Sequence, residues 1–464
     1  MDATCNTIAS FVAGLEPAML SSSVLHQARL RLVDSLGCAI GAIDCPPAAI
    51  ARELAAEVSS TRPATAIGLA RPTTPDAAAF ANTAMVRYLD FNDMYFSPIG
   101  GGAHPSDVIP TALAVGESVR AQGIDVLCAI VAGYEVLGRL AGTVRLRERG
   151  WDQGIHVVVA TAMIAGKLLG LDRQRLAEAV SLAIIPNVTT RATRVGELSM
   201  WKGCATAGSA RAGIYAAQLA GRGMTGPAEP FDGFDGIKHR VTGPFELAFD
   251  LPPGTFVIEE VHTKYWPAEY NAQAPIDLAI EMRDRIAIEE IDRIDVETYW
   301  LAYSEIGMEP EKWQPGTRET ADHSLPYLLA VALADGDVDD QSFGPDRLGD
   351  PGLRSLMERI HVSESKDYSA RFPAELLCSI AITTRDGREV RGEIAHPRGH
   401  VRNPLSDAEI DHKFDGLIAR RPEADRQRCR DLRASLWAFD EVADVATVLQ
   451  PLGALATTSS GSPR

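Results

Sequence analysis

Acids, imidazoles and cations stand at several places in this chain where packing alone does not call for them. The stretch from Arg87 to Pro110, RYLDFNDMYFSPIGGGAHPSDVIP, is the densest. Asp90 and Asp93, three apart, close a helix-like run, and a glycine-rich loop then delivers His104 to the start of the next helix. Ser106 or Asp107 is expected to cap that helix, and Pro110 is tolerable in its first turn, where backbone N–H groups lack partners anyway. A histidine near the positive end of a helix dipole is favoured as neutral imidazole, a group able to exchange protons near neutral pH. Gly150 to His156, GWDQGIH, repeats the arrangement with a second histidine at a helix start. Two such histidines suit a carboxylate-bearing ligand, because backbone N–H groups and imidazoles can point at one anion. The plainer alternative is that both aspartates end a helix and both histidines serve as loop, cap or core residues.

Positive charge follows. Arg191 and Arg194 precede Ser199-Met200-Trp201-Lys202-Gly203-Cys204, which leads into a helix of small residues. A lysine entering a buried helix is unusual unless it is paired or binds something. Lys264 and Glu269 lie five apart across a proline bend, as a hinge beside a cleft would have them. Asp322, His323 and Tyr327 stand just ahead of, or in, an apolar helix. There is no H-E-x-x-H and no clustered Cys/His set to hold a metal. A phosphate loop, a nucleophile elbow and a dinucleotide fingerprint are also missing. What remains is the inventory of cofactor-free proton transfer on a carboxylate substrate.

Positioning these groups takes a large protein. The chain has 464 residues, 46% hydrophobic and 23% charged, more than one core usually supports. Its net charge of −17 argues against nucleic acid or an anionic membrane as partner, and requires any anion site to be locally cationic. Seven scattered cysteines with no C-x-x-C pair fit a reducing compartment, and the amino terminus shows no secretory pattern. The longest plainly apolar run, Val126 to Tyr134, is too short to span a bilayer. A cytoplasmic protein is expected.

Apolar residues at helical spacing predict helices over Val24 to Ala42, Asp107 to Ala121, Ile124 to Gly142, His156 to Leu169 and Gln174 to Ile185, and small residues at spacings of three and four in Cys204 to Gly221 allow close helix packing. Beyond Phe256 short runs rich in Val, Ile and Thr predict strands at Phe256 to Val261, Ile291 to Tyr299, Ile360 to Glu364, Leu377 to Thr383 and Glu389 to Ile394, interleaved with helices at Gln273 to Asp284 and Ser324 to Ala334. Two further helices, Ser406 to Ala419 and Glu423 to Leu436, are expected to return to the first part. The expected fold is mostly α: a large, discontinuous all-helical domain from 1–260, a smaller α+β lid domain from 261–404, and 405–464 packing back on the helices, with an unstructured tail from about 456.

Five ordered blocks, YLDFND with GAHPSD, WDQGIHVVVATAMIAGKLLGL, SMWKGCATAGSAR with GMTGP, KYWPAEYNAQ, and DHSLPYLLAVAL, resemble the MmgE/PrpD family, whose members include 2-methylcitrate dehydratase and, more distantly, cis-aconitate decarboxylase. The resemblance runs over roughly residues 5 to 450. It implies the same two-part fold, a homodimer and an active site in the cleft between the parts. Carried over position by position, the family's site residues match Asp90, His104, His156, Lys202, Lys264 and Tyr327, with Arg194 a weaker match. Met94 stands where relatives often have threonine and Asn271 where the dehydratases often have histidine, so with Glu269 these residues are expected to line the pocket.

The expected activity is a hydro-lyase acting on a citrate-like acid without metal or organic cofactor. Lys202, Lys264 and Arg194 would hold carboxylates, His104 or His156 would take the proton, and Tyr327 or the other histidine would protonate the leaving hydroxyl, with Asp90 orienting. Decarboxylation, epimerisation or isomerisation of a related acid would use the same carbanion-stabilising pocket. A non-catalytic acid-binding protein on the same scaffold is the third reading.

Overall fold

The computed structural model describes residues 1–249 and 255–457, and the expected tail lies mostly outside them. The first part is built of helices α1 (Ala3–Gly14), α2 (Ser22–Gly41), α3 (Pro46–Ala56), α4 (Pro75–Tyr88), α5 (Ile109–Val119), α6 (Gly123–Ala141), α7 (Gly154–Leu168), α8 (Arg173–Ile184) and α9 (Trp201–Gly221). Helix α7 is apolar on every face and buried from Gly154 through Gly166, so it forms the centre. Small residues let its neighbours close in. A Cβ on Gly213 of α9 would lie 2.1 Å from Thr161 Oγ1, and one on Gly133 of α6 would lie 2.3 Å from Ile164 Cδ1. Among the described residues no single helix is long and apolar enough to cross a membrane, and the pair α2 and α3, which has the composition, is bent by 93°.

A small antiparallel pair, β1 (Tyr95–Phe96) and β2 (Gly102–Ala103), interrupts the helices. A second part carries a four-stranded sheet of β3 (Ile291–Thr298), β4 (Ile360–Glu364), β5 (Cys378–Thr384) and β6 (Glu389–Ile394) in the order β4-β3-β5-β6. Strands β3 and β4 are parallel, with Ile294 opposite Ile360, and the other pairs are antiparallel. Cys378, Ile380, Ile382 and Thr384 alternate into the core, as a strand with one face covered must. Helix α10 (Gln273–Arg283) lies against β5 and β6, and Gly392 leaves room for Leu278, whose Cδ1 would otherwise be 2.5 Å from a Cβ. The fold is therefore mostly α with a small mixed sheet.

One hydrophobic core takes residues from Cys5 to Val261 and again from Leu405 to Leu455, and a second takes residues from Trp266 to Ile382. The expected strand at 256–261 does not form. Val257–Glu260 is instead a 3-10 turn whose buried Val257 and Ile258 pack on α6 and α2, with the Val257 N–H donated to the Glu135 carboxylate. Its β-branched side chains are satisfied by a helix surface, and among the described residues no strand pairs with 257–260.

The junction between the two parts is pinned by buried cations from the first. Arg31 of α2 donates to Thr263 Oγ1 at 2.5 Å and to the Val261 carbonyl at 2.6 Å. Lys413, in the returning helix Asp407–Ile418, pairs with Asp34 at 2.6 Å and donates to the carbonyls of Phe91 and Lys264. Both carbonyls belong to segments that carry candidate site residues.

Candidate active site

Helix α4 ends at Tyr88 and the chain turns sharply, with Asp90 in the left-handed region at φ 48°. That conformation is uncommon for a non-glycine residue and is tolerated best by Asn and Asp. It turns the Asp90 carboxylate back toward Arg87, which donates to Asp90 Oδ1 at 2.6 Å and to Asn92 Oδ1 at 3.0 Å. Lys264 donates to the same Oδ1 at 2.5 Å and to the Asp90 carbonyl at 2.8 Å. Lys202 approaches Asp90 Oδ2 at 3.6 Å and Asp322 Oδ1 at 2.6 Å. The two lysines expected to hold carboxylates of a guest thus meet on one carboxylate of the protein, and both are almost wholly buried. Burial alone would raise the pKa of Asp90, but Lys264, Arg87 and Lys202 hold it well below the ordinary carboxylate range. In Lys264 burial prevails and lowers the ammonium pKa.

Asp90, Asp322 and His323 bring three metal-capable atoms within 4.8 Å of one another. The Lys202 ammonium sits among them, 2.6 Å from Asp322 and 3.1 Å from His323 Nδ1, and supplies the positive charge the acids need.

Asp93 does different work. Its Oδ1 accepts from the backbone and hydroxyl of Ser106, and its Oδ2 accepts from Tyr134 at 2.8 Å. Neither Ser106 nor Asp107 caps the following helix as expected. Ser106 is spent on Asp93, and Asp107 is buried 3.6 Å from the Arg87 guanidinium. The β1–β2 pair then carries the chain back so that His104 Nδ1 lies 2.7 Å from the Asp93 carbonyl oxygen. A carbonyl only accepts, so Nδ1 carries the proton and Nε2 is left with its lone pair. Burial, together with Arg87 and Lys264, lowers the His104 pKa well below 6.5 and keeps the ring neutral. The Gln153 side chain accepts from the His104 N–H at 2.9 Å and so ties this loop to the turn before His156.

These groups open on a cleft of about 530 Å³ lined from both parts of the chain. Arg87, Asp90, Met94, His104, His156, Arg194, Glu269, Asn271 and His323 all face it. His156, on the first turn of α7, has its pKa lowered to about 4 by burial. Arg194 is held by Asp152 at 2.9 Å and donates to the Lys202 carbonyl at 3.3 Å, while its buried Nη2 has no hydrogen-bond partner. Across the cleft, burial pushes Glu269 up to about 7 against the pull of Lys264. Its carboxyl accepts from the Asn271 backbone and side chain at 2.7 and 2.8 Å, and Asn271 Oδ1 accepts from the Tyr299 hydroxyl.

Tyr327 does not reach this cleft. It is fully buried in the second core, its hydroxyl donating to the Ser342 carbonyl at 2.6 Å, because its helix Leu325–Asp335 turns that face toward Phe343. Lys202 and Lys264 lie behind Asp90 and His323 and do not line the cavity. Sequence reasoning had passed over Arg87, which ends an apolar helix, and the pair Arg147 and Glu305, which meet at 2.6 Å with Arg191 on the same carboxylate. An arginine closing a run of apolar and small residues was the available signal; Arg147 sits in a charged run that reads as surface.

Residues 6–250 match the MmgE/PrpD N-terminal domain and residues 266–438 the MmgE/PrpD C-terminal domain. The chain is 27% identical to 2-methylcitrate dehydratase of Cupriavidus necator over 85% of its length and 86% of that protein. It is 26% identical to the Escherichia coli K12 2-methylcitrate dehydratase, with 90% of both chains covered. The mouse cis-aconitate decarboxylase is 26% identical over 93% of this chain and 88% of its own. Enzymes with both names are lyases. On two family models that together span most of its length, this chain belongs to the MmgE/PrpD family.

Proposed function

We propose that this protein is a cofactor-independent hydro-lyase that removes water from a citrate-like hydroxy acid. The observation that carries the reading is the neutral His104, whose Nδ1 proton is committed to the Asp93 carbonyl and whose Nε2 is free to act as base beside Asp90 and Arg87. The unpartnered Nη2 of Arg194 offers a charged donor to a substrate carboxylate, and neutralising that carboxylate eases removal of the adjacent proton. His104 Nε2 takes the proton from the carbon beside the carboxylate, the C–H electrons form the alkene, and the β C–O bond breaks. The departing hydroxyl needs a proton. Tyr327 is too remote, and His156 is largely unprotonated at neutral pH, whereas Glu269 still holds a proton near pH 7 and faces the same cleft. We assign Glu269 as the acid.

The test is turnover of 2-methylcitrate, citrate, cis-aconitate and iminodisuccinate, with alkene absorbance and released CO₂ followed together. Alkene without CO₂, lost by about 10²–10⁴-fold in His104→Asn at unchanged thermal stability, is the expected result. CO₂ release would move the protein to the decarboxylase reading, and activity surviving in His104→Asn would remove the base. The same reading carries a cytoplasmic homodimer, which light scattering and fractionation test.

A further inference from the structure

The cleft has two unlike halves. One is charged and largely self-paired: Arg87 meets Asp90, Arg194 meets Asp152, and Arg147 and Arg191 meet Glu305, with the Arg194 Nη2 left without a partner. The opposite half is carbon. Met94, Phe96, Tyr299, Leu301 and Phe372 face the cavity and pack into a small apolar cluster of their own. Phe372 stacks on Tyr299 at 4.9 Å and meets Phe96 edge-on at 5.3 Å. The Tyr299 hydroxyl is spent on Asn271, so only its ring is left for a guest.

This wall is held from behind. A Cβ at Gly100 would lie 2.9 Å from Phe372 Cε1, and one at Gly102 would lie 2.7 Å from Met94 Cε, so the bare backbone of the loop that delivers His104 also backs the aromatic wall. Base and wall are thereby fixed relative to each other. A cavity of about 530 Å³ falls within the range of drug-sized ligand sites, roughly 300–1,000 Å³, and exceeds what a small hydroxy acid fills. A water-filled apolar half would leave that surface wetted, at a cost that an apolar substituent would relieve.

We infer that the preferred substrate is a hydroxy-carboxylic acid bearing an alkyl or aryl substituent larger than methyl, seated on the wall of Met94, Phe96, Tyr299, Leu301 and Phe372. The inference rests on the hydro-lyase reading for the acid head and goes beyond it for the tail. Calorimetric binding of citrates substituted at C2 with methyl, ethyl, propyl, butyl and benzyl groups tests it, with loss of water measured on the same series. Affinity is expected to rise roughly fourfold per added methylene. In Met94→Thr, which shortens the wall and puts a hydroxyl on it, the gain from methyl to butyl is expected to shrink. Affinity that is flat or falling beyond methyl, or no binding by any member, overturns the inference. Rising affinity with no water lost from any member overturns the dehydration reading and leaves the substituent pocket standing.

Discussion

The Lys264 ammonium lies 2.5 Å from Asp90 Oδ1 and 2.8 Å from the carbonyl oxygen of the same residue, so one lysine fixes both the side chain and the backbone of a residue in the left-handed region. Lys264 reaches it from the junction segment that leads into the second core, and Asp90 follows α4 of the first. Lys264→Met would leave a buried carboxylate short of one of its two closest cations, and breaking such a pair costs about 3–5 kcal/mol. Urea unfolding should show a loss of that order. Asp90→Asn should cost less than Asp90→Ala, because Asn accepts the left-handed backbone and Ala does not.

Gly101→Ala tests how finely His104 is placed. A Cβ there would lie 2.4 Å from the Ala141 carbonyl oxygen, an atom of α6 backbone that cannot swing aside. The loop must shift instead, carrying His104 with it. A displacement near 1 Å from a productive geometry can cost about 10²-fold, so kcat should fall on that scale while the melting temperature changes little.

Glu269 gives a pH signature with a definite sign. Its folded pKa is raised from 4.5 to about 7 by burial, so the native state holds a proton that the unfolded chain gives up between those values. Its contribution to stability is fully present below the unfolded pKa and is lost as pH rises through about 7. Glu269→Gln should therefore gain stability relative to the parent as pH rises from 5 to 8, by about 3 kcal/mol at most. The parent's kcat should fall on the basic side near pH 7 as the acid loses its proton. A profile flat from pH 6 to 9 would remove Glu269 from the reaction.

Much of this was legible before any coordinates. Helices α2, α6, α7 and α8 follow from apolar spacing, and strands β3 to β6 from β-branched runs bounded by turns, because in each case local pattern and tertiary burial agree. The segment at 256–261 misled because its composition suits any apolar surface and only its neighbours decide which. His104, His156 and Arg194 were readable from their places at helix starts and after turns, and they do face one cleft. Lys202 and Lys264 were readable as unusual but not as partners of Asp90, since pairing so far apart in the chain, 174 residues for Lys264, leaves no local trace. Tyr327 misled for the opposite reason: Asp322 and His323 precede its helix and meet Lys202, while the phenol a turn further on points into the second core.

Tyr327→Phe separates those two addresses for the phenol. The variant strands the Ser342 carbonyl in the second core, which costs about 1–3 kcal/mol for an unsatisfied buried acceptor. Turnover per folded molecule should match the parent, because the ring lies outside the cleft. A large fall in kcat at preserved stability would return Tyr327 to the chemistry.

Arg194 is the residue on which carboxylate binding is expected to turn. Its Nε is engaged by Asp152 and its Nη1 by the Lys202 carbonyl, which leaves Nη2 as the donor still unspent and keeps the guanidinium plane from rotating. Lysine at this position retains the charge but has one nitrogen, and it cannot hold Asp152, the Lys202 carbonyl and a substrate oxygen in the fixed fork that guanidinium provides. A hydrogen bond to a charged group is worth about 1.5–3 kcal/mol, so Arg194→Lys should raise KM by roughly 10- to 100-fold. The fold should survive, since Asp152 still has a cation within reach and accepts from the Gly154 N–H. If KM is unchanged and kcat alone falls, the unspent nitrogen acts in the transition state rather than in holding the acid, and the carboxylate must be gripped from Arg87 or the His104 side instead.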